Sequence, residues 1–220
     1  MPTRKQRPRG STTQQAVVEA ALMVVDEQGL GALTIRRVAE RVGTPPMSLY
    51  AHFSNKNQLL DLMYEELAGR LYRDQGYEQW QTEMLALCQR IRTILLAHPN
   101  WAPLISRPNR PLAIPLRERI LPLIVASGAS SEQAFSALSS CVLMSIGFAL
   151  VELNFQGPDG ESALERRFER LKSWVDTQDA HGHRATREAL KHLPRFSLDE
   201  VFEFSAHALI AGIERSAQRR

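Results

Sequence analysis

The sequence predicts an all-α protein, with a three-helix, helix-turn-helix domain at the N-terminus and a larger helical domain behind it. Apolar residues recur at three- and four-residue steps through almost every long segment, as in amphipathic helices. No run of β-branched residues bounded by turn signals competes for a strand. Gly43 also separates two short periodic segments, as a helix-turn-helix requires.

The first helix carries Val17, Ala20, Ala21, Val24 and Val25 on one stripe and closes at Gly29 and Gly31. Thr34 suits the cap of the second, whose inward residues are Ile35, Val38, Ala39 and Val42. Gly43 lacks the Cβ that penalises a left-handed backbone, so it suits the turn. Thr44 is the expected cap of a short third helix over residues 46–52, with Pro45 at its first position and Leu49 and Phe53 inward. Ser54 is the expected cap of a fourth helix carrying Leu59, Leu60, Met63, Leu67 and Leu71. Longer helices are expected near 77–97, 100–106, 112–126, 130–156, 161–178 and 198–217. Clustered prolines at 99, 103, 108, 111, 115 and 122 break the middle of the chain into short pieces. The polar stretch 177–196 reads as a mobile connection, and there is no fixed-period repeat.

Of the 220 residues, 44% are apolar and 23% charged, the composition of a folded rather than a disordered chain. Cys88 and Cys141 each fall inside an apolar helical pattern. They make neither a disulfide framework nor a zinc site, which points to a reducing cytoplasm. The start, MPTRKQRPRG, has charge but no apolar segment of a secretory signal. The apolar stretch 138–153 is interrupted by serines and a glycine, and reads as a buried or subunit-facing helix rather than a membrane span. The histidines at 98, 181, 183, 192 and 207 have no metalloprotease spacing, and no CxxC or Gly-rich phosphate loop occurs, so no enzyme and no cofactor are expected.

The net charge of +3 is unevenly spread. Residues 1–56 hold eight Lys and Arg against four acids, and the remainder nineteen against twenty. A positive front end suits a polyanion partner or a solvated basic tail. Residues 1–11, with Arg4, Lys5, Arg7 and Arg9, read as a flexible arm that either follows a minor groove or raises nonspecific affinity.

Residues 33–63 carry the specific signal. After the glycine turn comes Leu49-Tyr50-x-His52-Phe53-x-Asn55-Lys56-x-x-Leu59-Leu60. This pattern resembles the DNA-binding domain of the TetR (tetracycline repressor) family. The stretch from Arg107 to Glu152 resembles the C-terminal domain of the subgroup that includes the tetracycline repressors. The resemblance implies a homodimeric transcriptional regulator without catalytic activity, double-stranded DNA with a palindromic operator as partner, and release by a small-molecule effector. It assigns residues 12–56 to DNA binding and 57–220 to effector binding and dimerisation. A DNA-binding protein that takes no ligand, architectural or controlled by a protein partner, is the alternative.

Carried over position by position, the resemblance places Thr44, Pro46, Met47 and Ser48 at base edges, with Arg36 at a further DNA-contacting position. Tyr50, His52 and Lys56 match residues that reach phosphates or bases. Lys56 near a helix N-terminus is a good phosphate clamp. Phe53 is expected in the core, and Arg37 and Arg41 on a solvated face. Pro46 and Met47 stand where polar residues are common in the family, so an apolar press on a thymine methyl becomes the expected readout.

Helix 130–156 is rich in small residues and, with 198–217, is the expected dimer face, the alternative being an internal helix. Tyr72, Leu87, Ile91, Trp101, Ile105, Ser106, Arg107, Met144, Phe148 and Trp174 are candidate walls of an effector pocket expected between helices 4 and 8. Glu152, His98 and Asn109 follow Arg107 as polar anchors. The histidine and acid that hold magnesium in the tetracycline repressors align with Pro103 and with Val151, beside Glu152. A magnesium–drug complex is therefore not expected, and a more apolar effector is.

Overall fold

Several helices begin where the sequence supplies a side-chain cap and turn an apolar stripe inward. The computed structural model describes residues 12–71, 79–105, 107, 114–155, 163–178, 183–192 and 197–217, and among these all the regular structure is helical. The arm 1–11 lies outside the described residues, as do Tyr72, Ser106, Asn109 and His181. Two compact units divide the chain, one formed by Met1–Arg73 with His98–Leu116, the other by Asp74–Ala97 with Arg117–Arg220.

The first unit opens with α1 (Gln14–Gln28), where the Thr13 hydroxyl accepts the Ala16 N–H at 3.1 Å. A short turn at Leu30–Ala32 leads to α2 (Ile35–Val42), capped as expected by Thr34, which accepts the Arg37 N–H at 3.2 Å. Gly43 follows at φ 81°, ψ 34°, a left-handed turn that any side chain would strain. α3 (Pro46–Leu49), α4 (Lys56–Leu71) and α6 (Ala102–Ile105) complete this unit. Val17, Ala21, Val25, Leu33, Val38, Leu49, Leu59 and Met63 of the stripes read from sequence are wholly buried, while Ile35, Val42 and Leu71 are half-buried.

Three local expectations are corrected. Pro45, not Thr44, occupies the cap position of α3, and Pro46 is its first residue. Two prolines in succession hold the extended-then-helical backbone without a side-chain cap. The regular helix also stops at Leu49, and residues 50–52 close by bonds three residues back: Tyr50 N–H to Met47 C=O, Ala51 to Ser48 and His52 to Leu49. That tightened turn keeps Leu49 and Phe53 both buried over a shorter path. Ser54 does not cap α4. Asn55 Oδ1 accepts the Gln58 N–H at 3.0 Å, while Gln58 Oε1 reaches back to the N–H and hydroxyl of Ser54.

The second unit holds α5 (Trp80–Ala97), the main part of α7 (Ile114–Ala126), α8 (Ser131–Phe155), α9 (Ala163–Thr177), α10 (Arg184–His192) and α11 (Leu198–Ala217). Ser130 and Gln133 start α8 with a reciprocal capping box, at 3.2 and 2.8 Å. α5, α8 and α11 pack together around Met84, Leu87, Cys88, Leu95 and Cys141. Arg92 of α5 ties them further, pairing with Glu152 of α8 at 2.7 Å and Asp199 of α11 at 2.5 Å.

The expected connection 177–196 contains a helix instead. α10 folds back on α9, and the Arg187 guanidinium donates to the carbonyls of Val175 and Gln178, at 3.0 and 3.3 Å. Those carbonyls at the α9 terminus need partners, and a side chain nine or more residues away supplies them. α8, at 25 residues, is long and apolar enough by length and composition to cross a membrane, which the interrupted stretch 138–153 did not suggest. A third of its most apolar window is buried inside this unit.

Candidate nucleic-acid interface

α3 projects from the first unit as a helix of four residues with one side anchored. Leu49 is wholly buried, while Pro46, Met47 and Ser48 are exposed, Met47 at 78%. Tyr50 is 46% exposed, and its ring leans on Phe53 at 5.9 Å between centroids. That contact fixes the ring and leaves the phenol hydroxyl for an acceptor outside. His52 is half-buried, and its carbonyl accepts Gln14 Nε2 at 2.8 Å, which pins the end of the turn to α1. Thr44 is half-buried and its N–H donates to Ala39 C=O at 3.0 Å, closing the turn after α2.

The cations around α3 differ in how firmly they are held. The Arg36 side chain is 83% exposed and pairs with Glu40 one turn on, at 2.8 Å. Such a pair is worth about 0.3–0.5 kcal/mol, so a phosphate or a guanine edge competes with it easily. Lys56 Nζ donates to Leu33 C=O at 2.8 Å, one of three donors an ammonium has. Arg37 and Arg41 are committed elsewhere: Arg37 Nη1 donates to Ala32 C=O at 2.9 Å, and Arg41 forms a two-point bridge to Glu27. The Arg41 bond holds the Glu27 carboxyl below its ordinary value, with burial opposing and the Arg41 charge adding to the effect. Arg41 and Glu27 thus fasten α2 to α1.

Two structural supports of this interface had no signal in the sequence. Gln14 and Glu27 each act on a residue fourteen or more positions away, where periodicity carries no information. The same holds for the fastening of α4: Arg70 bonds Glu19 of α1 at 2.6 Å and Glu66 at 3.1 Å, and Gln15 bonds Glu66 at 2.9 Å.

The described effector-pocket candidates fall in both units, and several already have partners. Trp101 is a core residue of the first unit, 3% exposed, with Nε1 donating to Leu22 C=O and its ring stacked on His98 at 3.8 Å. His98 in turn contacts Asp26 at 2.9 Å. Ile105 is buried, and Arg107 bonds Asn57 at 3.4 Å and lies 3.7 Å from Asp61. In the second unit Leu87 and Ile91 are core, Met144 and Phe148 are half-buried, and Glu152 is spent on Arg92. Trp174 is 49% exposed beside His183. Among the described residues no group of three His, Cys, Asp or Glu side chains is placed to share a metal ion.

A left-handed glycine turn, a short exposed helix on a buried leucine, and a lysine at the next helix start together define a helix-turn-helix DNA-binding protein. Residues 17–63 match the family described as bacterial regulatory proteins, tetR family, and residues 74–217 match the tetracyclin repressor-like C-terminal domain. The chain belongs to the TetR family of transcriptional regulators.

It is 34% identical over 116 residues to an HTH-type transcriptional regulator of Saccharopolyspora erythraea, covering 52% of this chain and 48% of that one. The chain thus spans about half the length of that relative. It is 29% identical over 209 residues to the class C tetracycline repressor protein of Escherichia coli, covering 91% of this chain and 90% of the other. Crystal structures of ActR from Streptomyces coelicolor, apo and in complex with actinorhodin, superpose at TM-scores of 0.74 and 0.72 with 25% identity. They cover 95% and 94% of this chain and 98% and 99% of ActR.

Proposed function

We propose that this protein is a cytoplasmic, homodimeric repressor that grips a palindromic operator through α3 and leaves it when a small, largely apolar effector binds. The observation that carries the DNA half is α3 itself, with Leu49 buried and Pro46, Met47, Ser48 and Tyr50 presented outward. Residues 12–56 are the reading head and 57–220 carry effector binding and dimerisation. The arm 1–11 adds phosphate affinity. Arg36, Thr44, Pro46, Met47 and Ser48 meet bases, and Tyr50, His52 and Lys56 meet phosphates or bases. Effector control is supported by ActR, a relative of the same fold that binds actinorhodin.

Dimerisation is supported by an unburied face on α8 and α11. Leu143 is 66% exposed and Phe204 74%, with Ser136, Ser140, Gly147, Ala208 and Gly212 along the same two helices. Large apolar side chains beside small ones let two copies of these helices approach closely. A dimer sets two α3 helices roughly 34–36 Å apart, one turn of DNA.

Footprinting the region upstream of the protein's own gene, with anisotropy titrations at two salt concentrations, tests this reading. A protected inverted repeat bound by one dimer is the expected result. Equal affinity for random and genomic fragments would favour the ligand-independent architectural alternative. Phe204→Asp is expected to give monomers by light scattering and to lose operator affinity.

A further inference from the structure

α5 carries polar groups into the core of the second unit. Trp80, Glu83 and Arg90 follow one another at three- and seven-residue steps, so they stand along one stripe of the helix, with Leu87 between them. Trp80 is 4% exposed and Glu83 0%. Glu83 Oε1 accepts Arg90 Nη2 at 3.1 Å. Glu83 Oε2, Trp80 Nε1 and Arg90 Nε are all buried, and no protein group bonds them.

Interior polar groups are nearly always satisfied, and the few unbonded buried atoms among the described residues are these three and one guanidinium nitrogen each of Arg117 and Arg119 on α7. The buried Ser145 hydroxyl donates to Cys141 C=O at 2.8 Å, and the Trp101 indole reaches Leu22 C=O. Against that background, three unbonded polar atoms on one stripe of α5 are a built feature that calls for a further partner.

We propose that Trp80, Glu83 and Arg90 form the polar end of an effector site in the second unit, a subsite for an uncharged hydroxyl on an otherwise apolar molecule. The inference rests on the reading of this protein as effector-responsive. The Glu83–Arg90 pair cancels its own charge, so the subsite favours a neutral group: a carboxylate meets Glu83 and an ammonium meets Arg90. Two N–H donors and one carboxylate oxygen remain to be matched. A hydroxyl gives one hydrogen bond and accepts two, and matches that set. Trp80 and Glu83 are one turn apart, where neighbouring side chains stand roughly 5–6 Å from each other at Cβ. Leu87, Met84 and Ile91 supply the apolar surroundings for the rest of the ligand.

The test uses the full-length protein labelled with ¹⁵N. Its three tryptophans give three indole N–H signals, and the one lost in Trp80→Phe belongs to Trp80. The probes are 1-naphthol and 1-methylnaphthalene, alike but for the hydroxyl. Naphthol is expected to shift the Trp80 signal saturably and to bind about tenfold more tightly than methylnaphthalene. Trp80→Phe and Glu83→Gln are each expected to weaken naphthol and leave methylnaphthalene unchanged, whereas a merely structural role weakens both. Equal affinity for the two probes, naphthol binding with an unmoved Trp80 signal, or no naphthol binding overturns the subsite. Operator release is followed with the same probes. Binding at Trp80 without release keeps the subsite and sinks the effector reading, while release without a Trp80 shift does the reverse.

Discussion

The Lys56 ammonium donates to the Leu33 carbonyl across 2.8 Å, tying the first turn of α4 to the chain entering α2. One donor therefore braces the reading head while two remain for phosphate. Lys56→Met is expected to cost about 1 kcal/mol of stability as well as DNA affinity. The two roles separate in salt: a lost phosphate contact lowers the slope of log affinity against log salt by about 0.9 per subunit. An unchanged slope would leave Lys56 a structural residue only.

Tyr50 packs on Phe53 through its ring and is 46% exposed. Tyr50→Phe keeps the packing and removes only the hydroxyl. Operator affinity by anisotropy is expected to fall about five- to tenfold, ~1–1.4 kcal/mol, with no change in Tm. Normal binding by this variant would take Tyr50 out of the interface.

Met47 is the most exposed large apolar side chain in the protein's described residues, and it stands on the reading helix. In operators selected from a random library, replacing thymine by uracil at the position Met47 reaches is expected to cost about 1 kcal/mol. The Met47→Ala protein is expected to bind the two DNAs alike. A uracil penalty that persists in Met47→Ala assigns the methyl contact to another residue. Ser48→Ala is expected to change preference among operators more than overall affinity.

Glu66 is held below the usual carboxylate value of 4.5 by its bond from Gln15, with burial opposing and Arg70 adding to the effect. A carboxyl lowered on folding stabilises the folded state above its unfolded pKa, and that contribution is lost as pH falls through the folded value. Urea unfolding between pH 7 and 3 is therefore expected to show the α1–α4 fastening failing below about pH 4.5. Glu66→Gln is expected to flatten that part of the profile, and an unaltered profile would show that the fastening does not contribute.

Trp101 belongs to the core of the first unit. Trp101→Ala is expected to lower stability by about 3–5 kcal/mol, read as a large fall in Tm with no effector present. A small change would return Trp101 to the candidates for a pocket wall.

The order of helices, their inward stripes, the Gly43 turn and the Tyr50-x-His52-Phe53 pattern were legible in the sequence. Each depends on residues within a turn or two of one another, where side-chain spacing and backbone preference act directly. Exposure of Met47 and Ser48 followed from the same local geometry, once Leu49 was inward. The cap of α4 was decided between Ser54 and Asn55, adjacent residues that are both good candidates, whereas two successive prolines start α3 with no side-chain cap. The helix at Arg184–His192 is only nine residues long and mostly polar, and it folds back on α9, whose terminal carbonyl at Val175 takes the Arg187 guanidinium. Only tertiary structure spent Glu152 on Arg92 and Trp101 on Leu22, and left Trp80 and Glu83 buried with bonds unmade. Partners that far apart in the chain meet through packing, and no local spacing encodes the meeting.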